Sequence, residues 1–353
     1  MMKKTSKLMS LVIAGAMVLS MTACGGNTAE TTAAATQAQE TAADTAAQAE
    51  ETTEGAEDGT AAQAEGTTYK IGVLQLVQHT ALDAANEGFI AALDDAGIAY
   101  EVDQQNASGD QSACQTVASK FANEKKDLIL AIATPAAQAM VGAVEDTPVL
   151  VTAVTDPAES GLVDTNEKPG ANVTGTSDLT PVKEQIDLLK QLVPDARTIG
   201  VLYCSAESNS KIQADMAKEA IAAAGMESKE YTVSSSNEIQ TVVQSMVGAV
   251  DAVYAPTDNV IAAGMATVGM VAGDNNLPVI CGEAGMVQNG GLATYGIDYY
   301  QLGYMTGQQA VKILTEGASP ADMPIEYLPV EKCELTVNEE TAQTLGIDVS
   351  GLK

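Results

Sequence analysis

The feature that most constrains the fold is an apolar strand that leads directly into a helix at residues 127–139. Leu128 to Ala133 is an uninterrupted apolar run, typical of a strand covered on both faces of a parallel sheet. Thr134 and Pro135 then predict a helix start, since threonine is a good N-cap and proline suits the first helical position. Such a junction leaves free backbone N–H groups at the carboxyl edge of the sheet, where anions bind.

The chain contains this construction twice. The segment at 71–74 recurs 128 positions later, and the strand at 127–134 is echoed at 251–258, at an offset of 124. A third pair, beginning at 147 and 277, has an offset of 130. Three pairs in the same order with nearly constant offset predict two similar α/β lobes, each a doubly wound parallel sheet, joined by a multi-strand hinge.

We assign residues 67–178 plus 297–325 to the first lobe, and 179–296 plus 326–353 to the second. Open α/β sheets place their ligand-facing loops at the carboxyl ends of the strands. Two such edges that face each other form one cleft, and several chain crossings limit motion to hinge closure. The sequence therefore predicts a two-lobed protein that closes on a ligand.

Polar residues at the predicted strand ends are candidates for binding a charged ligand, with donors for a carboxylate group and acceptors for an ammonium group. The candidates that would bind its carboxylate belong to the first lobe and are Thr134, Ala136 through its N–H, and Thr155. The candidates that would accept from its ammonium are the acids Asp156, Asp258 and Glu283. Asn209, at the start of a second-lobe helix, could bridge either group. Each of these residues taken singly is better explained as a helix cap or a solvated loop residue. Together they lie at the same level in both lobes, which caps alone do not explain.

His79, the only histidine, follows the first strand and is therefore a cleft candidate. A single histidine with no nucleophile nearby is weak evidence for catalysis. Because the chain has no Trp and two Phe, an aromatic wall would have to come from Tyr203, Tyr254 or Tyr295. This composition argues against an aromatic ligand, and weakly against a sugar, because sugars commonly stack on Trp or Phe rings.

Four cysteines lie in the predicted lobes, Cys114, Cys204, Cys281 and Cys333, and none has the spacing of a metal site. With one histidine besides, no transition-metal site and no cofactor are expected. An even count allows disulfides in an exported protein, whereas the apolar surroundings favour buried free thiols.

The N-terminus has the pattern of an export signal. Lys3, Lys4 and Lys7 precede an apolar stretch at 8–19 that is too short to be a comfortable membrane span. Small residues and Cys24 follow, which resembles a bacterial lipoprotein signal: residues 1–23 would be cleaved and Cys24 would carry lipid. A plain secretory signal with an incidental cysteine is the alternative.

Residues 24–66 are predicted to be a disordered acidic tether that begins at the lipidated cysteine. From 25 to 66 it contains nine acids, no base and almost no apolar side chain larger than alanine. A flexible coil of 42 residues spans roughly 35 Å. Cleavage would leave 14 basic against 47 acidic residues, a net charge of −33, which argues against binding to nucleic acid or to an anionic bilayer. Attachment to the membrane would therefore have to be covalent.

Several short motifs together resemble a known family. They are QHTALD (78–83), AIATP (131–135), VTDP (154–157), NVTG (172–175), DAVY (251–254), PTDN (256–259) and GLAT (291–294) with Tyr299. With Cys24 and its tether, they resemble the substrate-binding lipoproteins of ABC importers, in the family that has tryptophan- and related amino-acid-binding members. The resemblance covers about residues 68–352. Where the family usually has His-Pro-Ala-Leu-Asp, this chain has Thr80 after His79, which leaves the ligand open.

The resemblance implies a type I periplasmic-binding-protein fold with three hinge crossings, and a separate permease and ATPase as partners. Gln78 and Asn259, which lie in its motifs, complete the ligand-binding candidates. We therefore expect a monomeric, lipid-anchored, extracytoplasmic receptor for an amino acid, possibly aromatic, and no enzyme activity. A sensory protein that presents its ligand to a membrane receptor is the alternative. An exported hydrolase is disfavoured because the chain lacks a G-x-S-x-G or H-E-x-x-H motif.

Overall fold

The computed structural model describes residues 67–352. The predicted signal segment, Cys24 and the tether lie outside this range. The first part of the described chain alternates strands and helices: β1 (Tyr69–Gln75), α1 (Thr80–Asp95), β2 (Tyr100–Asn106), α2 (Gln111–Glu124), β3 (Leu128–Ile132), α3 (Thr134–Val141), β4 (Val149–Val154) and β5 (Val173–Ser177).

The second part repeats the alternation and then finishes both lobes. Its elements are α4 (Val182–Leu192), β6 (Thr198–Cys204), α5 (Ser208–Ala223), β7 (Glu227–Val233), α6 (Ile239–Met246), β8 (Ala252–Ala255), α7 (Asn259–Ala263), α8 (Met265–Asp274), β9 (Val279–Cys281), α9 (Ala284–Gln288) and β10 (Ala293–Gly296). The last four are α10 (Tyr299–Glu316), β11 (Glu326–Tyr327), β12 (Glu334–Val337) and α11 (Glu339–Leu345). None of the helices within residues 67–352 is both long and apolar enough to cross a membrane.

The two sheets have corresponding strand orders, which confirms the predicted repeat. The first has the order β11-β5-β4-β3-β1-β2 and the second the order β12-β10-β9-β8-β6-β7. All neighbouring strands are parallel except β10 and β12. A local bond also recurs: the Asp127 carboxylate accepts from the N–H of Lys70 at 2.7 Å, and the Asp251 carboxylate accepts from the N–H of Thr198 at 2.8 Å.

The chain passes between the sheets three times, after β5, after β10 and after β11. The predicted boundary placed residues 326–353 in the second lobe. However, Glu326 and Tyr327 pair with β5 in the first sheet, because the segment after α10 returns along the first lobe before it crosses. The α10 helix itself packs on α1, β4 and β5 of the first lobe.

Side chains of a strand point alternately to the two faces of its sheet, so each face contributes to an apolar core. In β6, Ile199, Val201 and Tyr203 face one apolar cluster, whereas Leu202 and Cys204 face another. The edge strand β7, with the sequence ESKEYTV, has mostly exposed side chains, and its lack of an apolar pattern is why the sequence did not predict it. The four cysteines of the described region are free thiols, three of them buried.

Two helices of the first lobe approach so closely that only glycine fits between them. A Cβ at Gly303 in α10 would overlap the carbonyl oxygen of Ala85 in α1, and one at Gly88 in α1 would overlap the carbonyl oxygen of Tyr300. Helix α10 begins at Tyr299, beside the second crossing. This contact therefore fixes where the second crossing enters the first lobe.

We expect Gly303→Ala to destabilise the protein by about 1–3 kcal/mol or more, because the added methyl group forces two helix backbones apart. Gly273→Ala in α8 is the matched control, since nothing lies within 4 Å of a Cβ built there. In that helix alanine should stabilise by up to about 1 kcal/mol. Urea unfolding of both variants measures the difference, and equal stability of the two would contradict the packing described.

Candidate functional site

A narrow central cavity lies where the carboxyl edges of the two sheets meet. The first-lobe side and the hinge contribute His79, Leu82, Ala153, Asp178 and Tyr299. The second lobe contributes Asn209, Thr257, Asp258, Asn259, Ala262 and Glu283. The space open to the centre of a water-sized sphere is about 10 Å³, enough for about one water molecule. The lobes are thus closed upon each other.

Direct hydrogen bonds between the lobes hold this arrangement. His79 Nε2 lies 3.2 Å from Asn259 Oδ1, and Gln213 Nε2 of α5 donates to Thr155 Oγ1 at 3.0 Å. Gln213 Nε2 also donates to the Thr257 hydroxyl, and Gln213 Oε1 accepts from the backbone N–H of Thr257. Since Gln213 bonds residues of both lobes, opening the cleft would break its bond to Thr155.

Three buried carboxyl groups line the cavity, those of Asp178, Asp258 and Glu283, and no Lys or Arg is among its lining residues. A fourth, that of Glu207, bonds the lining residues Asn209 and Asn259. Burial raises the pKa of Asp178 to about 6, of Glu283 to about 7 and of Glu207 to about 8. Burial also raises the pKa of Asp258, which lies close enough to Glu207 for the two charges to interact. The site is therefore short of positive charge, since each carboxylate would be ionised more readily beside a cation.

Two of these acids also cap helices, as their positions after strands suggested. Asp258 accepts from the N–H of Ile261 in α7 at 2.8 Å, and Glu283 accepts from the N–H of Met286 in α9 at 2.8 Å. These bonds favour the charged forms, but burial outweighs them in both cases. Each of these two side chains therefore caps a helix and also faces the cavity.

Three buried side-chain atoms that belong to the cavity lining have no hydrogen-bond partner: His79 Nδ1, Asp178 Oδ1 and Asn209 Oδ1. The Asn259 amide donates to Glu207, so its oxygen faces His79, and His79 Nε2 must carry the proton. Burial lowers the pKa of His79, which leaves Nδ1 unprotonated in the neutral ring.

The other two orphan atoms are acceptors as well. Asn209 Nδ2 donates to Glu207 Oε2 and to the carbonyl of Thr257, so its Oδ1 is free to accept. Asp178 Oδ2 accepts from the Tyr299 hydroxyl at 2.9 Å, which leaves Oδ1. All three are therefore acceptors that call for a donor, because a buried polar atom without a partner is costly.

The structure brings five of the ten predicted binding residues to the cavity: His79, Asn209, Asp258, Asn259 and Glu283. Gln78 is exposed, and Thr155 is occupied by Gln213. Asp156 caps its own turn, since its Oδ1 accepts from the N–H of Ala158 and from Asn166. None of these three lines the cavity.

Thr134 and Ala136 are also outside the cavity lining, buried in the first turn of α3. Thr134 is the first helical residue and not the predicted N-cap: Ala133, with φ 82°, precedes the helix, and no side chain caps it. The Thr134 hydroxyl is buried without a partner.

Sequence reasoning missed Asp178, Glu207 and Tyr299 as site residues. Asp178 directly follows β5, the same kind of strand-end position that suggested Asp258, and this signal could have found it. The prediction that three tyrosines form an aromatic wall was wrong. Tyr254 donates to Gln185 in the core, Tyr203 donates to Glu230, and Tyr295 is absent from the cavity lining. Tyr299 is the aromatic residue of the cavity.

Comparison with known proteins identifies relatives over the whole described region. The profile of the family described as ABC transporter substrate binding protein matches residues 70–351. A tyrosine-binding protein of Clostridioides difficile is 41% identical over 355 residues, which cover 98% of this chain and 93% of that protein. A Streptococcus pneumonia ABC domain solved in complex with L-Trp is 39% identical, with a TM-score of 0.78 over 81% of this chain and 97% of that one.

A third relative differs in conformation. The ligand-free, open structure of a substrate-binding protein with adhesive properties from Clostridium difficile is 46% identical over the same shares of the two chains, 81% and 97%. Its TM-score is nevertheless lower, at 0.63. The described lobes are thus arranged more like those of the less similar relative that holds L-Trp, in agreement with the closed cavity.

The buried acids predict that the free energy of unfolding falls as pH rises from 6.5 to 8.5. Unfolded carboxyls titrate near pH 4, so in this window the folded state holds more protons than the unfolded state and loses stability as they leave. His79 acts in the opposite direction only below about pH 6.5, the usual pKa of histidine.

Urea unfolding at pH 6.5, 7.5 and 8.5 measures this slope, and Glu207→Gln should make it shallower because the acid with pKa about 8 is removed. Glu219→Gln is the control, since that side chain is exposed and should leave the slope unchanged. Stability that rises across the window would contradict the account of the buried acids.

Proposed function

Since the chain belongs to the family of ABC transporter substrate-binding proteins, we propose that it binds an α-amino acid, foremost an aromatic one, between its lobes, with the ammonium group in the central cavity. The relatives that bind tyrosine and L-Trp support this ligand class. Proteins of this family act outside the cytoplasm. Binding involves no covalent chemistry, and no described residue is assigned a catalytic role.

The observation that carries the proposal is the set of three orphan acceptors, Asp178 Oδ1, Asn209 Oδ1 and His79 Nδ1. A primary ammonium has three N–H donors and one positive charge, so it can supply one donor to each acceptor. Its charge would also stabilise the ionised forms of Asp178 and Glu283. A ligand without a cationic group would leave this group of acids uncompensated.

The first turns of two helices suit the ligand carboxylate. Helix α1 begins after His79 and α5 begins after Glu207, and no side chain caps either helix. Leu82 of α1 and Asn209 of α5 line the cavity, so both first turns lie beside it. Free N–H groups at a helix start attract a carboxylate.

Delivery follows from the hinge. A ligand larger than a water molecule cannot enter the closed cavity, so the lobes must separate at the three crossings and then close over it. The bonds of His79 and Gln213 between the lobes would re-form around the bound ligand. A permease with its ATPase, encoded separately, would distinguish the closed from the open form and accept the ligand.

Anchoring would use Cys24. The chain before it has the order of a lipoprotein signal, and the acidic stretch after it offers no means of binding an anionic bilayer. Lipid on the Cys24 thiol and a tether of roughly 35 Å would hold the monomer near its permease.

Asp178→Asn should weaken the binding of L-tyrosine or L-tryptophan at pH 7.5 by about 1.5–3 kcal/mol, because it replaces a charge-assisted bond to the ammonium by a neutral one. Asp156→Asn is the matched control: it makes the same change at the end of the adjacent strand, outside the cavity, and should leave affinity unchanged. Calorimetric titration gives both values. Equal affinity of the two variants would place the ammonium elsewhere, and no binding of any amino acid by the wild type would remove the proposal.

Cys24→Ser should release the protein from the membrane fraction of expressing bacteria into the soluble extracytoplasmic fraction, because no thiol remains to carry lipid. The mass of the mature wild-type chain should exceed that of its polypeptide from Cys24 onward by the lipid. Fractionation and intact mass spectrometry check this. A wild-type protein that is soluble and carries no lipid would show a plain secretory signal.

A further inference from the structure

We propose that a second cavity, at the mouth of the cleft, holds the ligand's side chain, and that Glu207 there selects aromatic rings with a hydrogen-bonding tip over phenyl. This inference rests on the proposed function and adds the chemistry of the side chain. The mouth cavity lies between the ends of β1 and β2 in the first lobe and α5, α7 and the end of β7 in the second. Its lining includes Val77, Asp110, Glu207, Ser235, Val260 and Ala263.

The volumes of the two cavities assign their occupants. The mouth cavity has about 410 Å³ open to the centre of a water-sized sphere, within the range of ligand pockets of about 300–1,000 Å³. The central cavity has about 10 Å³, which is room for an ammonium but not for a ring. Asn259 lines both cavities, so one ligand can extend from one into the other.

Glu207 is the buried polar group that faces the mouth cavity. Its side chain belongs to a residue only 3% exposed, and Oε2 accepts from Asn209 Nδ2 at 3.2 Å and from Asn259 Nδ2 at 2.6 Å. The N–H of Asn259 also donates to Oε2, at 3.2 Å. All three of these hydrogen bonds from described residues go to Oε2. Glu207 lines the mouth cavity and not the central one, so Oε1 is the carboxyl atom available to a ligand there. Oε1 becomes an acceptor when the ligand's ammonium, bound beside Asn209, ionises the acid.

The surroundings of Oε1 define what it would bind. Val77, Val260 and Ala263 provide apolar wall, which suits the faces of a ring. The rest of the lining is largely polar, with serines at 108 and 234–236. A carboxylate oxygen covered by a bound ring favours a ligand that brings a donor to it over one that leaves it without a partner. A hydroxyphenyl O–H and an indole N–H are such donors, whereas phenyl has none.

Calorimetric titration of the full-length protein with L-tyrosine, L-tryptophan and L-phenylalanine tests the inference. We expect phenylalanine to bind at least about tenfold more weakly than the other two, since one missing hydrogen bond in a buried site costs about that much or more. Phenylalanine that binds as tightly as tyrosine would overturn the inference and leave the proposed function standing. Failure of all three amino acids to bind would instead overturn the proposed function.

The variant Glu207→Gln distinguishes direct hydrogen bonding to the ligand from a purely structural role of Glu207. Three N–H groups would keep the new carbonyl oxygen on the Oε2 side, so the amide NH₂ would replace Oε1 and could only donate. The indole N–H cannot accept, so the tryptophan-to-phenylalanine affinity ratio should fall to about one. The phenol oxygen can accept, and tyrosine should keep part of its advantage. Loss of affinity by the same factor for all three ligands would show that Glu207 acts only through Asn209 and Asn259.

Discussion

The structure depends on four buried carboxyl groups, three that line the central cavity and Glu207 next to them, with no basic side chain among the cavity lining. Burying charge without a partner is among the costliest arrangements in a protein, and such groups respond by remaining protonated. Here Asp178, Glu207, Asp258 and Glu283 all have raised pKa values for this reason. The missing cation is best supplied by a ligand, whose ammonium would ionise the acids as it binds. Binding and proton release are then parts of one equilibrium.

The positions of the acids in the fold couple the charge of the ligand to the closure of the lobes. Asp178 and Tyr299 lie beside two of the three crossings, whereas Glu207, Asp258 and Glu283 belong to loops of the second lobe. Closure therefore brings Asp178 toward the three acids of the second lobe, and repulsion between their ionised forms opposes closure. A bound ammonium would turn that repulsion into attraction, so ligand charge and lobe closure favour each other. The hydrogen bonds that His79 and Gln213 make between the lobes also stabilise the closed form, and they involve no charged group.

Much of the fold could be predicted from the sequence because both lobes depend on continuous apolar strands. Leu128 to Ile132 is buried along its whole length, and such an apolar run can be recognised in the sequence without knowing which strands pair with it. The edge strand β7 was invisible for the opposite reason, since its side chains face solvent. The site was harder because a strand-end acid can cap a helix, face a ligand or do both. Asp258 and Glu283 do both, whereas Asp156, in an equivalent sequence position, serves only its own turn. The direction of a side chain in a loop depends on tertiary contacts such as that between Asp156 and Asn166, which spacing along the chain does not encode.

The measurement that tests the central claim most directly compares L-tyrosine with its deaminated analogue, 3-(4-hydroxyphenyl)propanoate, by calorimetry. The two ligands share the ring, the hydroxyl and the carboxylate, and differ in the ammonium alone. The account predicts that the analogue binds at least about a hundredfold more weakly, because it leaves His79, Asp178 and Asn209 without donors and brings only negative charge to the acids. Equal affinity for the two ligands would contradict it.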